Sequence, residues 1–115
     1  MTVDQFAARI ATVRRRFLST LEGKIADTYA ALPNLSGDGS AVGETYRRIH
    51  GIVGVGPTVG LAATGRAARE VENVLLPAYR AERGLHAEEL DTLRGALHAL
   101  REAAKQDLDT FASVR

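Results

Sequence analysis

Apolar residues recur at intervals of three and four along most of the chain, which is the spacing of one face of an α-helix. Thr2 and Gln5 have the spacing of a capping box and predict where the first helix begins. Pro33 and Asn34 are expected to stop it, so the first predicted helix spans residues 3–32. Its apolar stripe runs through Val3, Phe6, Ile10, Val13, Phe17, Leu21, Ile25, Tyr29 and Leu32.

Three more stripes of the same spacing follow and predict helices over residues 40–56, 61–82 and 87–113. Ser40 is the expected N-cap of the second helix. Pro57 is expected to end or kink that helix, and Gly60 marks the next boundary. Amphipathic helices joined by short turns pack as antiparallel neighbours. The sequence therefore predicts an all-α fold, an antiparallel up-down four-helix bundle, as a single domain over residues 1–115.

Composition and charge exclude several classes of function. The formal net charge of +1 is too small for a strongly basic nucleic-acid binder. The three arginines at positions 14–16 are interpreted as a solvated helix face rather than a phosphate or membrane contact. The absence of cysteine rules out disulfides, thiol chemistry and Cys-ligated zinc. His50, His86 and His98 lie on separate segments, so no metal site is expected.

Neither a membrane span nor a signal peptide is expected from the sequence. No apolar run approaches the roughly 20 residues that span a bilayer. The N-terminus contains an acidic residue, Asp4, and lacks the basic region of a signal peptide. A cytoplasmic location is therefore expected.

The candidate functional residues cluster around His50. This histidine is followed by Gly51, Gly54, Gly56 and Gly60. Gly costs roughly 1 kcal/mol relative to Ala in a helix interior. Glycines beside a histidine leave room for close approach to the imidazole. The sequence GIVGVG at 51–56 superficially matches a nucleotide-binding loop, but no strand precedes it, so nucleotide binding is not predicted.

Helical geometry places His50 just outside the predicted core. At about 100° per residue, the imidazole lies about 40° from Tyr46, on the edge of the buried stripe. Arg47, Gly54 and Gly51 continue the same strip. A neutral imidazole is a nucleophile near pH 7, and a nearby Arg can stabilise phosphoryl charge. A lone histidine at the edge of a helix stripe is more often a boundary residue, and periodicity alone does not decide between the two.

At these residues the sequence resembles the histidine-containing phosphotransfer (HPt) domain family. The family pattern places a histidine, an apolar residue two positions on, Gly at four and ten positions on, and a helix with small and acidic residues. The match spans residues 47–72 without gaps. The residues that carry it are His50, Ile52, Gly54, Gly60, Leu61, Ala68, Arg69, Glu70, Val71 and Glu72. One departure is Val53, where the family usually has Lys.

The resemblance implies a phosphocarrier of a two-component phosphorelay rather than an autonomous enzyme with kinase activity of its own. His50 would accept a phosphoryl group from a receiver aspartate, through Nε2, and pass it to another receiver. Arg47 would support the phosphoryl charge. No cofactor is expected on this chain, and Mg²⁺ would be held by the receiver. Expected partners are response-regulator receiver domains and a hybrid histidine kinase, with no nucleic acid and no membrane.

The receiver is expected to dock beside His50. The candidate contact residues are Gly51, Gly54, Val55 and Thr58. Two other functions stay open. One is an HPt-like adaptor that binds a receiver or kinase without carrying phosphate, which Val53 favours. The other is a structural bundle with an incidental histidine, against which the glycine pattern argues.

Overall fold

The computed structural model describes residues 2–113, and the side-chain surroundings of residues 2–110. In chain order the elements are α1 Val3–Leu35, α2 Gly39–Val55, a 3-10 turn Pro57–Val59, α3 Ala62–Arg80 and α4 Ala87–Ser113. No strand occurs within residues 2–113. The predicted all-α four-helix bundle is confirmed.

The helices form a four-sided bundle. α1 packs against α2 and α4, and α3 packs against the same two helices on the other side. Across the described part of the chain, α2 and α4 do not pack against each other, and neither do α1 and α3. Each helix therefore has two neighbours and one face turned to solvent.

The predicted apolar stripes of α2, α3 and α4 meet in the core. Fully buried side chains include Ile49 and Ile52 of α2, Val71 and Leu75 of α3, and Leu97 of α4. Burying one such aliphatic side chain stabilises the fold by about 1.5–3 kcal/mol. The core fixes which face of α2 turns outward, and with it the position of His50.

The stripe of α1 is only partly buried. Phe17, Leu21 and Ile25 are buried, whereas Val3, Phe6 and Val13 are exposed. α1 has 33 residues, a length of about 50 Å at 1.5 Å per residue, while α2 has 17. The N-terminal part of α1 therefore has no α2 beside it. No helix in the described part of the chain is both long and apolar enough to cross a membrane.

The beginning of α1 is confirmed and its predicted end is wrong. Thr2 accepts a hydrogen bond from the Gln5 backbone N–H, and the Gln5 side chain accepts one from the Thr2 N–H, which completes the capping box. The helix continues through Pro33 to Leu35. Pro33 is exposed, and its missing N–H removes a single bond near the helix end. The fully buried Leu35 holds the last turn in place.

The predicted N-cap of α2 is also wrong. Asp38, not Ser40, caps the helix, because its carboxylate accepts a hydrogen bond of 2.9 Å from the Ser40 backbone N–H. The same carboxylate oxygen accepts the Ser40 hydroxyl at 2.7 Å. These hydrogen bonds lower the pKa of Asp38, the side-chain bond having the largest effect. Asp and Ser are both good N-caps, so only the turn geometry decides between them.

The α2–α3 turn follows the prediction. α2 ends at Val55, and Pro57 begins the 3-10 turn. Gly60 has a φ of 86°, a left-handed conformation that favours glycine. At Gly65 an added Cβ would lie 2.8 Å from the Pro57 ring, so this glycine lets the turn pack directly on α3.

Candidate functional site

His50 lies on the solvent-facing side of α2, one turn before the helix ends. Its side chain is 65% exposed. The neighbouring Ile49 and Ile52 are buried in the core. This is the position that helical spacing predicts, at the edge of the stripe with the imidazole open to solvent.

Glu72 of α3 holds one side of the imidazole. The distance from His50 Nδ1 to Glu72 Oε2 is 2.8 Å, and the Glu72 side chain is 12% exposed. α2 and α3 pack against each other on either side of the turn. This packing brings together His50 and Glu72, which are 22 residues apart in the sequence.

Stacked aromatic rings support the imidazole from the preceding turn. The Tyr46 ring lies 5.8 Å from the His50 ring, with 13° between their planes. Tyr46 also stacks on Tyr79 of α3, at 4.0 Å and 10°. The imidazole orientation is thus set by a carboxylate on one edge and a ring stack that joins α2 to α3.

This arrangement determines which imidazole nitrogen is nucleophilic. An ionised carboxylate only accepts hydrogen bonds, so Nδ1 carries the hydrogen and donates it to Glu72. Nε2 is then the nitrogen with a free lone pair. The partner carboxylate also stabilises positive charge that develops on the ring when Nε2 forms a bond. The site can therefore present one exposed, oriented nitrogen nucleophile.

Arg47 lies on the same strip, but its guanidinium points away from His50. A Cβ on Gly43 would lie 3.4 Å from Arg47 Nη1. Gly43 is seven residues before His50, a distance of about 10 Å along the helix axis. The described conformation does not bring this cation to the imidazole, and the role of Arg47 in phosphoryl stabilisation stays a prediction.

The four residues predicted to contact a partner all lie exposed near His50. Nothing lies within 4 Å of a Cβ built on Gly54, and Val55 is one of the exposed large apolar residues of the chain. The Thr58 hydroxyl donates a hydrogen bond of 3.3 Å to the Gly54 carbonyl. Gly51 is exposed beside His50. Together with His50 they form an exposed strip, which we call the His50 strip.

The other two histidines lie elsewhere. His86 precedes α4 and lies 3.5 Å from Glu89, whose pKa is lowered by hydrogen bonds from the Arg83 guanidinium and the His86 backbone N–H. His98 is exposed on α4. Within residues 2–113 no group of three or more His, Asp or Glu side chains is arranged to hold a metal ion.

Two residues near His50 were not assigned a role from the sequence. Glu72 belongs to the segment that resembles the family, but its contact with His50 depends on how α3 packs against α2. Lys24 of α1 reaches the other side of the strip, where a Cβ on Gly51 would lie 3.9 Å from its Nζ. No local sequence signal identifies Lys24, because its position depends on how α1 packs against α2.

Comparison with known proteins identifies the family. Neither a search of curated proteins nor a search of solved structures returned a match to this chain. The family model described as the Hpt domain matches residues 12–103, which include all of α2 and α3 with the His50–Glu72 pair. Hpt domains have a phosphotransfer role in two-component phosphorelays and interact with response-regulator receivers. The chain belongs to the Hpt domain family.

Proposed function

We propose that this chain is a phosphocarrier that accepts a phosphoryl group from a receiver aspartate on His50 and passes it to another receiver. The observation that supports this most is the exposed imidazole whose Nδ1 is engaged by Glu72 at 2.8 Å. Such a ring offers Nε2 to an incoming phosphorus atom without any further rearrangement of the helix.

The transfer step requires few groups from this chain. The His50 Nε2 lone pair attacks the phosphorus of the aspartyl phosphate, forming the N–P bond as the P–O bond breaks. The aspartate carboxylate leaves with the electron pair of that bond. Glu72, at Nδ1, stabilises the imidazolium that forms. Phosphoryl transfer depends chiefly on positioning and charge stabilisation. The onward transfer to a second receiver is the same step in reverse and uses the same groups.

The His50 strip is the proposed docking surface for the receiver. Gly51, Gly54, Val55 and Thr58 lie exposed beside the imidazole, and the open surface over Gly54 leaves room for a folded partner. The receiver would supply Mg²⁺ and the remaining catalytic groups. We therefore propose that this chain needs no nucleotide or metal of its own and works in the cytoplasm, with a hybrid histidine kinase as a second candidate partner.

A second candidate function is an adaptor that binds a receiver or kinase without carrying phosphate. Val53 is the observation that favours it. This side chain packs partly buried against the core instead of presenting a cation beside His50. An adaptor would bind its partner through the same docking surface but would not accept a phosphoryl group on His50.

The test is transfer of labelled phosphate from receiver domains of the same genome, each phosphorylated on its aspartate. The native chain is compared with His50→Gln and with His98→Gln, a matched change of an exposed histidine on α4. We expect the native chain and His98→Gln to acquire acid-labile, base-stable label, and His50→Gln to acquire none. Binding to a receiver without uptake of label by the native chain would contradict the carrier and support the adaptor.

A further inference from the structure

The charge around His50 is unbalanced once a phosphoryl group is attached. A phosphoryl group brings about −1.5 to −2 charges near neutral pH. The Glu72 carboxylate already lies 2.8 Å from Nδ1 of the same ring. The imidazolium that forms offsets the charge of Glu72 but not the charge of the phosphoryl group as well, so a further cation is needed nearby.

Neither the position where the family usually has Lys nor Arg47 supplies this cation in the structure. Val53 is apolar and packs against the core. The guanidinium of Arg47 lies against Gly43, towards the other end of α2. The cation must come from another element or from the partner.

The fold brings the Lys24 side chain to Gly51, the residue that follows His50. It lies on α1 between the buried Leu21 and Ile25, which fix that turn of α1 in the core. Its Nζ lies 3.9 Å from the position that a Cβ on Gly51 would take. Gly51 follows His50 directly and has no side chain to separate the ammonium from the strip.

Lys24 is also free to bind an anion. It is half-buried, so its aliphatic stem packs while the ammonium remains at the surface. Among the described residues its ammonium has no ion pair or hydrogen bond. Lys105, the other lysine of the chain, lies 3.6 Å from Glu102 on α4. An unpaired ammonium at Gly51, the residue after the nucleophile, is available for the charge that the reaction brings.

We propose that Lys24 is a catalytic residue, whose ammonium donates hydrogen bonds to the phosphoryl oxygens while the group is transferred to and held on His50. This proposal rests on the proposed function. Lys24 forms and breaks no covalent bond. Its charge stabilises both the transition state and the phosphohistidine, as preorganised donors do at other sites of developing negative charge. Glu72 and Lys24 thus stand on opposite sides of α2, one serving the imidazole and the other the phosphoryl group.

The first test measures transfer rates from a phosphorylated receiver for the native chain, Lys24→Gln, Lys24→Arg and Lys105→Gln. Removal of a comparable charge-stabilising donor slows reactions about 100-fold or more in buried sites, and we expect about 10- to 100-fold here, where Lys24 is only half-buried. Lys24→Arg keeps the charge and should retain most of the rate, and Lys105→Gln should match the native chain. Equal rates for Lys24→Gln and an active native chain would overturn the role of Lys24 and leave the carrier function intact.

The second test needs no receiver and separates the two proposals. The chain is labelled with ¹³C at the lysine ε-carbons, which gives two signals because Lys24 and Lys105 are its only lysines. It is then phosphorylated with phosphoramidate. We expect the Lys24 signal to move on phosphorylation while the Lys105 signal stays, and neither to move in His50→Gln. A phosphorylated His50 with an unmoved Lys24 signal would overturn the inference even if no receiver transfers phosphate to the chain.

Discussion

Glycine has opposite functions at two places in the bundle. Where the α1–α2 and α3–α4 turns meet, a Cβ on Gly84 would lie 2.6 Å from the backbone oxygen of Ser36. On the His50 strip, a Cβ on Gly54 would have nothing within 4 Å. The first glycine lets two backbones touch, and the second leaves the helix surface bare beside a nucleophile.

Gly84 therefore serves the stability of the fold, whereas Gly54 serves the access of a partner to His50. The turn around Gly84 is held by a 2.7 Å hydrogen bond from the Leu85 N–H to the Leu35 carbonyl, so any added atom there disturbs the fold. At Gly54 the fold gains nothing from the missing side chain, since Gly is a poor helix former. Beside His50, this missing side chain leaves the helix surface open to a docking partner.

The largest expected effect is on stability, from Gly84→Ala. The added Cβ meets backbone atoms of Leu35 and Ser36, which cannot rotate away as a side chain could. Overpacking of this kind destabilises by about 1–3 kcal/mol, and the measurement is the free energy of unfolding in urea. Gly37→Ala is the control in the neighbouring turn, because a Cβ there meets nothing within 4 Å.

Gly84→Ala should leave the rate of phosphotransfer unchanged at temperatures where the variant is folded. Unfolding free energies that are equal for Gly84→Ala and Gly37→Ala would show that the two turns do not need close contact. Gly84 would then not be required for packing between the turns.

A smaller and opposite effect is expected from Gly54→Ala. Ala in place of Gly stabilises a helix by up to about 1 kcal/mol, so the thermal midpoint should rise slightly. The added methyl group lies on the docking strip, and we expect receiver binding to weaken about tenfold, equivalent to about 1.4 kcal/mol. Titration of a receiver against the variant measures this directly.

Gly95→Ala is the matched control for Gly54→Ala. Gly95 lies exposed within α4, with nothing near its Cβ position, and α4 does not pack against α2 within the described residues. Gly95→Ala should raise the thermal midpoint as Gly54→Ala does and leave receiver binding unchanged. If both variants bind equally well, Gly54 is not part of the docking surface.

Most of the fold is predictable from the sequence because helix periodicity is a local property. The stripe Leu61, Thr64, Ala68, Val71, Leu75 and Ala78 is buried at every position in α3. The differences lie at helix ends, and they include α3, which ends at Arg80 and not at residue 82. At Pro33 the buried Leu35 outweighs the local preference to stop, and at the start of α2 the turn favours Asp38 over Ser40. The end of α1 depends on a tertiary contact of Leu35, and the start of α2 depends on the local geometry of the turn at Asp38, which apolar periodicity does not contain.

The candidate site is predictable only in part. Spacing within α2 places His50 and Gly54 on one exposed strip, and the structure agrees. The partners of His50 come from other helices. Glu72 lies on α3, beyond the α2–α3 turn, and Lys24 lies on α1. The positions of both side chains relative to His50 therefore depend on how the helices pack. The conformation of Arg47, folded back over Gly43, is likewise a packing result.

Phosphotransfer by this chain depends on Glu72 holding Nδ1 of His50, which leaves Nε2 as the atom that takes the phosphoryl group. The most direct measurement is a long-range ¹H–¹⁵N correlation spectrum of the ¹⁵N-labelled chain after phosphorylation with phosphoramidate. We expect phosphate on His50 Nε2, a protonated Nδ1, and loss of this preference in Glu72→Leu. Phosphate on His50 Nδ1, or first on His86 or His98, would show that Glu72 does not direct phosphorylation to His50 Nε2.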